Sequence, residues 1–109
     1  MTITYKVLGM MNTTTNTTAT LYTVPAATST IISTLNVCSQ STSTSTFRIA
    51  VRPAGVTLAP QHYIAYETPL PANDSISFTI GITLAATDVI SVYANTSTTS
   101  FAAFGSEIT

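Results

Sequence analysis

The run Phe47-Arg48-Ile49-Ala50-Val51-Arg52 decides the fold class. Its large apolar residues Phe47, Ile49 and Val51 recur at every second position. Successive side chains of a strand point to opposite faces, so the run buries one face and turns both arginines out the other. A helix would set Ile49 on the side opposite Phe47 and bury neither well. The residues are β-branched or aromatic at the inward positions, the types that suit a pleated surface.

Outward from this run the same period recurs. Ser75-Ile76-Ser77-Phe78-Thr79-Ile80-Gly81-Ile82 alternates four large apolar residues with small or hydroxyl ones. Asp88-Val89-Ile90-Ser91-Val92-Tyr93-Ala94 is apolar on both faces and suits a more central strand. Shorter candidates are Thr4 to Leu8, Thr20 to Val24, Ser29 to Val37, His62 to Glu67 and Ser100 to Phe104. No window reads as an amphipathic helix.

The breakers fall between these runs. Pro25-Ala26-Ala27, Pro53-Ala54-Gly55, Ala72-Asn73-Asp74-Ser75 and Ala85-Ala86-Thr87-Asp88 read as turns. Pro69 and Pro71 flank Leu70 and mark an edge or a crossover. The tract Ser39 to Thr46 reads as a long hairpin or a crossover loop, and Met10 to Ala19 as a Thr/Asn-rich loop. About eight short strands with regular turns predict an all-β fold, a single antiparallel β-sandwich over residues 1–109. Jelly-roll and immunoglobulin-like orders both fit, although the Cys-Trp-Cys core of antibody domains is missing. Residues 1–8 are expected to form an N-terminal strand or an arm that reaches a neighbour.

Only seven of the 109 residues are charged, three Lys+Arg and four Asp+Glu, for a net charge of −1. Ser and Thr make up about a third of the chain, and the apolar share is 45%. Soluble domains ordinarily carry charge on about a quarter of their residues, which keeps them solvated and apart. A hydroxyl-coated surface resists packing against other protein only weakly, so the composition points to a subunit made for assembly. Three cations cannot neutralise many phosphates, which excludes nucleic acid as the expected partner. The longest apolar runs, Ile31-Ile32 and Phe101-Ala102-Ala103, are too short to cross a bilayer, and no membrane partner is expected. The start Met1-Thr2-Ile3-Thr4-Tyr5-Lys6 does not read as a signal peptide. Asn12, Asn16, Asn73 and Asn95 match the glycosylation pattern, as chance allows in a chain so rich in Ser and Thr.

His62 is the only histidine, and no Gly-x-Ser-x-Gly turn singles out a nucleophile for it. Glu67, Asp74, Asp88 and Glu107 are scattered, with Asp74 and Asp88 in turn contexts where capping is the ordinary role. The one cysteine, Cys38, reads as a half-buried strand residue. The expectation is a protein that is not an enzyme and carries no cofactor or metal. Arg48 and Arg52 carry two readings: outer-face residues that are solvated or ion-paired with Glu67 or Asp88 across the sheet, or register-setting contacts between subunits. Lys6, Arg48, Arg52, Glu67 and Asp88 are therefore the candidate subunit-interface residues. Tyr22, Tyr63, Tyr66 and Tyr93 divide in the same way between core and interface.

One ordered pattern goes beyond composition. Thr4-Tyr5-Lys6-Val7-Leu8-Gly9 precedes Leu21-Tyr22-Thr23-Val24-Pro25-Ala26, and then Phe47-Arg48-Ile49-Ala50-Val51-Arg52-Pro53-Ala54-Gly55. His62-Tyr63-Ile64-Ala65-Tyr66, the run Ala85 to Ala94, and Phe104-Gly105-Ser106-Glu107-Ile108 follow. In this order the chain resembles a group of small virion structural proteins of tailed phages, notably those infecting cyanobacteria. The resemblance covers nearly the full length apart from Met10 to Ala19, and none of its motifs is catalytic. It implies a β-sandwich subunit of the capsid, neck or tail. The first expectation is a capsid cement or decoration protein, a homotrimer seated where major capsid subunits meet. The alternative is a tail, neck or baseplate-associated protein of the virion. A carbohydrate-binding host-adhesion module, with Tyr63 and Tyr66 as its aromatic platform, is the less favoured reading.

Overall fold

A computed structural model describes every residue of the chain except Ile80. Among the described residues there are nine strands: β1 (Ile3–Asn12), β2 (Ala19–Thr23), β3 (Ser29–Ser39), β4 (Ser45–Arg52), β5 (Tyr63–Leu70), β6 (Ser75–Phe78), β7 (Ile82–Leu84), β8 (Val89–Ala94) and β9 (Thr99–Ile108). Two short 3-10 turns, Pro53–Gly55 and Pro60–His62, lie between β4 and β5.

The first sheet runs β1-β9-β3-β6, with β7 also paired to β3, and the second runs β2-β8-β4-β5. All pairings are antiparallel and nested: β1 with β9, β2 with β8, β3 with β6 and β7, and β4 with β5. The chain changes sheet at every connection except β4–β5 and β6–β7. This is the order of a jelly roll in which β6 and β7 form one interrupted strand. It decides between the two topologies that the strand pattern left open.

The core lies between the sheets. Phe47 of the second sheet meets Phe101 and Phe78 of the first edge-on, with ring centroids 6.2 and 6.1 Å apart. Ile32, Leu35, Val37, Ile49, Leu70, Leu84, Ile90 and Val92 fill the space around them and are almost wholly buried. Burying each such side chain contributes about 1.5–3 kcal/mol. The expected roles of two strands follow. β8 sits between β2 and β4 and is buried on both faces, while β5, with Pro69, is an edge.

Several boundaries differ from expectation. The expected strand over 75–82 is broken, because Gly81 takes a φ of +66° that turns the chain out of extended geometry. The part of that expectation that falls on Ile80 lies outside the described residues. The expected loop from Met10 to Ala19 shrinks to residues 13–18, since Met10, Met11 and Asn12 pair with Ala102, Phe101 and Ser100. Thr13 is buried as well, its one hydroxyl proton shared between Thr96 O and Thr99 O, which lie 2.7 and 3.0 Å from Oγ1. β9 runs on to Ile108 because Gly105 lets β3 approach; a Cβ there would lie 2.0 Å from Ile31 O. Residues 3–8 form a strand within their own sheet, paired with β9.

Candidate functional site

β4 carries Phe47 and Ile49 inward at zero exposure, and alternation turns Arg48 and Arg52 outward over the second sheet. On the neighbouring edge strand the register slips between Phe47 and Ile49, so that Tyr66 and Glu67 together oppose Arg48. Glu67 takes a φ of +49° in this bulge, a left-handed conformation uncommon outside glycine. The bulge aims two side chains at one, which a regular strand would not do.

Arg48 gathers the site. Its Nε donates to Glu67 Oε1 at 2.8 Å, and its Nη2 donates to the same oxygen. Its guanidinium carbon lies 4.6 Å from the Tyr66 ring centroid and 4.2 Å from that of Tyr93. Tyr93 OH in turn donates to Asn16 Oδ1 at 2.9 Å, and Tyr63 meets Tyr66 edge-on at 4.9 Å. The Arg48 hydrogen bond, seconded by one from the Thr46 hydroxyl, holds the Glu67 carboxyl below the usual carboxylate range. The same contact raises Arg48.

Beside this cluster lies an open cleft of about 600 Å³ lined by Leu58, Ala59, Pro60, Tyr63 and Tyr66. The 3-10 turn at Pro60–His62 forms its wall, pinned by the Ala59 N–H donating to His62 Nδ1 at 3.0 Å. His62 thus serves its own turn, and among the described residues no hydroxyl hydrogen-bonds to it. Among the described residues no three His, Cys, Asp or Glu side chains gather as a metal site. The cluster sets two aromatic rings around a charge-assisted hydrogen-bonded pair beside the cleft.

The structure separates the other residues singled out by sequence. Arg52 donates from Nε to Ser91 Oγ at 3.0 Å and from Nη1 to Val56 O at 3.1 Å, so it pins a loop instead of pairing with Asp88. Asp88 accepts from the Ala54 and Ala85 N–H groups at 2.8 and 2.9 Å, which is the capping role expected of it. Asp74 caps Ser75 N at 2.8 Å. Lys6 lies on the first sheet and donates to Glu107 at 3.2 Å. All seven charged side chains are therefore engaged within the chain.

Sequence reasoning missed one polar network. Tyr22 OH donates to Glu107 Oε2 and shares a hydrogen bond with Thr30 Oγ1 at 2.9 Å. Burial, then the contact with Glu107, pushes the Tyr22 phenol up to about 12. The Tyr22 hydrogen bond holds Glu107 below the usual carboxylate range, and Lys6 adds to this. Nothing local to any of these residues signals the contact, because β2 and β9 meet only in the folded sandwich. Comparison with known proteins adds no assignment: no family model matches the chain, and no curated protein matches it.

Proposed function

We propose that the chain is a non-enzymatic structural subunit of a phage virion, a capsid cement or decoration protein that assembles as a homo-oligomer on the shell. The observation that carries this reading is the complete internal engagement of its seven charges. What remains for a partner is a hydroxyl and apolar surface, which costs less to bury than a charged one where the hydroxyls find hydrogen-bond partners across the contact. The jelly roll is also an architecture of viral capsid domains, a likeness of fold and not of site. The phage assignment itself rests on the ordered sequence runs. A clamp of this kind stabilises a pressurised shell by adding buried contact area across the junctions of major capsid subunits.

Addition of the purified protein to emptied capsids tests the reading. Saturable binding, with particles lacking the protein losing heat resistance, is the expected result. Failure to bind, with particles of unchanged heat resistance, would overturn it. Copy number in whole particles separates the shell from the tail, neck or baseplate: hundreds of copies fit the shell, and a few dozen or fewer fit the tail.

A second reading has one observation in its favour. The Tyr63 and Tyr66 rings line a cleft of about 600 Å³, and on this reading an aromatic face there stacks a sugar ring. A glycan array gives signal on this reading, lost in Tyr66→Ala; a blank array removes it.

A further inference from the structure

We propose that the outer face of the first sheet is a self-association surface, on which two copies of the chain pair about a two-fold axis. Register and alternation fix which side chains stand there. Phe101, Ala103, Leu35 and Val37 point into the core, so their neighbours along each strand point out. The outward positions divide into two halves. One half is bulky, with Ile3, Tyr5 and Val7 on β1, Phe104 and Ile108 on β9, and Ile31 on β3. The other half is small, with Ser100 and Ala102 on β9 beside Asn36 and Cys38 on β3. Met10 stands at its rim, over a cleft of about 370 Å³.

Among the described residues nine large apolar side chains are exposed, and five of them, Ile3, Tyr5, Val7, Met10 and Ile31, stand on this one face. Tyr5 is 82% exposed. Such a concentration marks a contact surface, whereas single exposed apolar residues do not. The first sheet's strands contain two charged residues, Lys6 and Glu107, and both take inward positions. The outer face carries no charge among the described residues.

Three features select a second copy as the occupant. A ridge and a trough lie on the same face, about four residues or ~13 Å apart along β9, from Ser106 beside Tyr5 to Ala102 beside Met10. A two-fold axis near the central row, Val7–Phe104–Thr34, sets the ridge of each copy into the trough of the other, the self-complementarity an isologous contact requires. With no charge on the face, like meets like without repulsion. The area is also adequate: ten residues of β1 span about 34 Å and four strand widths about 19 Å, a flat footprint of ~650 Å² against ~800 Å² per partner in a standard stable interface. Edge-to-edge pairing through β1 is disfavoured by its bulge between Val7 and Gly9 and by inward-pointing Lys6.

Light scattering coupled to size-exclusion chromatography of the full chain tests this. The wild type is expected at twice the chain mass. Tyr5→Lys on the ridge and Ala102→Glu in the trough should each weaken pairing more than about tenfold, since each buries an unmatched charge. Both are expected to leave the thermal midpoint of the monomer fold nearly unchanged; Met10→Glu, at an exposed position on the rim of the trough, replaces Ala102→Glu if that variant misfolds. Mixing Tyr5→Lys with Ala102→Glu should restore a dimer, because one ridge–trough contact then pairs opposite charges and the other is native. A monomeric or trimeric wild type overturns the proposal, as do variants that stay dimeric or a mixture that stays monomeric. Shell binding is read separately. A dimer that ignores capsids defeats only the cement reading, and a monomer that binds capsids through this face defeats only the two-fold pairing.

Discussion

Arg48 on β4 and Glu67 on β5 are joined across a bulge in which Glu67 adopts a φ of +49°. Residues held in such conformations persist where their surroundings over-determine them. Here the Arg48 fork and the rings of Tyr66 and Tyr93 supply that restraint. Arg48→Ala is expected to lower stability by about 1 kcal/mol, since two cation–ring contacts at a partly exposed site vanish with it. At position 67, Asn should be tolerated better than Val, because Asn visits the left-handed region and a β-branched residue resists it. Urea melts of the three variants check both statements; an equal loss in Glu67→Asn and Glu67→Val would refute the strain account.

Acid should destabilise the fold through two carboxyls. Glu67 and Glu107 both hold their protons less tightly when folded, below the ordinary value of 4.5. A depressed folded value means that their contribution is complete above about pH 4.5 and is lost as pH falls through the lower folded values. The denaturation midpoint is therefore expected to stay level from neutrality to about pH 5 and to drop below it. The double variant Glu67→Gln with Glu107→Gln should show a shallower acid decline from a lower plateau. An acid decline as steep as the wild type's would exclude these two carboxyls as its source.

Tyr22 gives the opposite sign at the alkaline end. Its phenol rises from 10.0 to about 12 on folding, so its contribution is present below pH 10 and is lost as pH climbs toward 12. Tyr22→Phe should remove this alkaline dependence and cost about 1–3 kcal/mol at neutral pH, because Glu107 and Thr30 each lose a partner. Melts recorded from neutral to alkaline pH, wild type against Tyr22→Phe, decide this. Parallel alkaline losses in the two proteins would exclude Tyr22 as the source.

The strands were legible because alternation is a local signal, and Phe47 to Arg52 carries it without interruption. The Arg48–Glu67 pair was legible only as one of several alternatives, and for a related reason. Nineteen residues separate its members, and they lie on strands adjacent in sequence that pair in the sheet. Tyr22 and Glu107 stand 85 residues apart and meet only when the nested pairs close, so no window of sequence contains their relationship. The strand order was hidden for the same reason: β1 finds β9 through the whole intervening fold. Alternation predicted outward faces strand by strand, but the uncharged face of the first sheet needed the register across β1, β9 and β3. The five charged residues singled out by sequence each hydrogen-bond within the chain, to a carboxylate, a hydroxyl or the backbone.

Gly105 should tolerate no side chain. A Cβ there would stand 2.0 Å from Ile31 O and 3.0 Å from Ile32 Cα, and both neighbours are backbone atoms of a central strand. Relief requires β3 and β9 to separate, which breaks their ladder near Glu107 and loosens the hydrogen bond to Tyr22. Gly105→Ala is expected to cost about 1–3 kcal/mol or more, the range for forced overpacking. A thermal midpoint equal to the wild type's would mean that the two strands are less closely apposed than described.

Ser45 offers a stabilising change. It opens β4 at 1% exposure, and among the described residues its Oγ is the one buried side-chain polar atom without a hydrogen-bond partner. A buried hydroxyl left unsatisfied costs about 1–3 kcal/mol, while its replacement by a methyl hydrogen loses almost no packing. Ser45→Ala should accordingly raise stability by about 1 kcal/mol. Ser45→Val removes the same hydroxyl but adds two methyl groups where β4 pairs with Leu70, so overpacking should offset the gain. The ordering expected in denaturant melts is Ala above wild type and Val below Ala. If Ala falls below wild type, the hydroxyl has a partner in solution, and an ordered water bridging it to the backbone is the natural one.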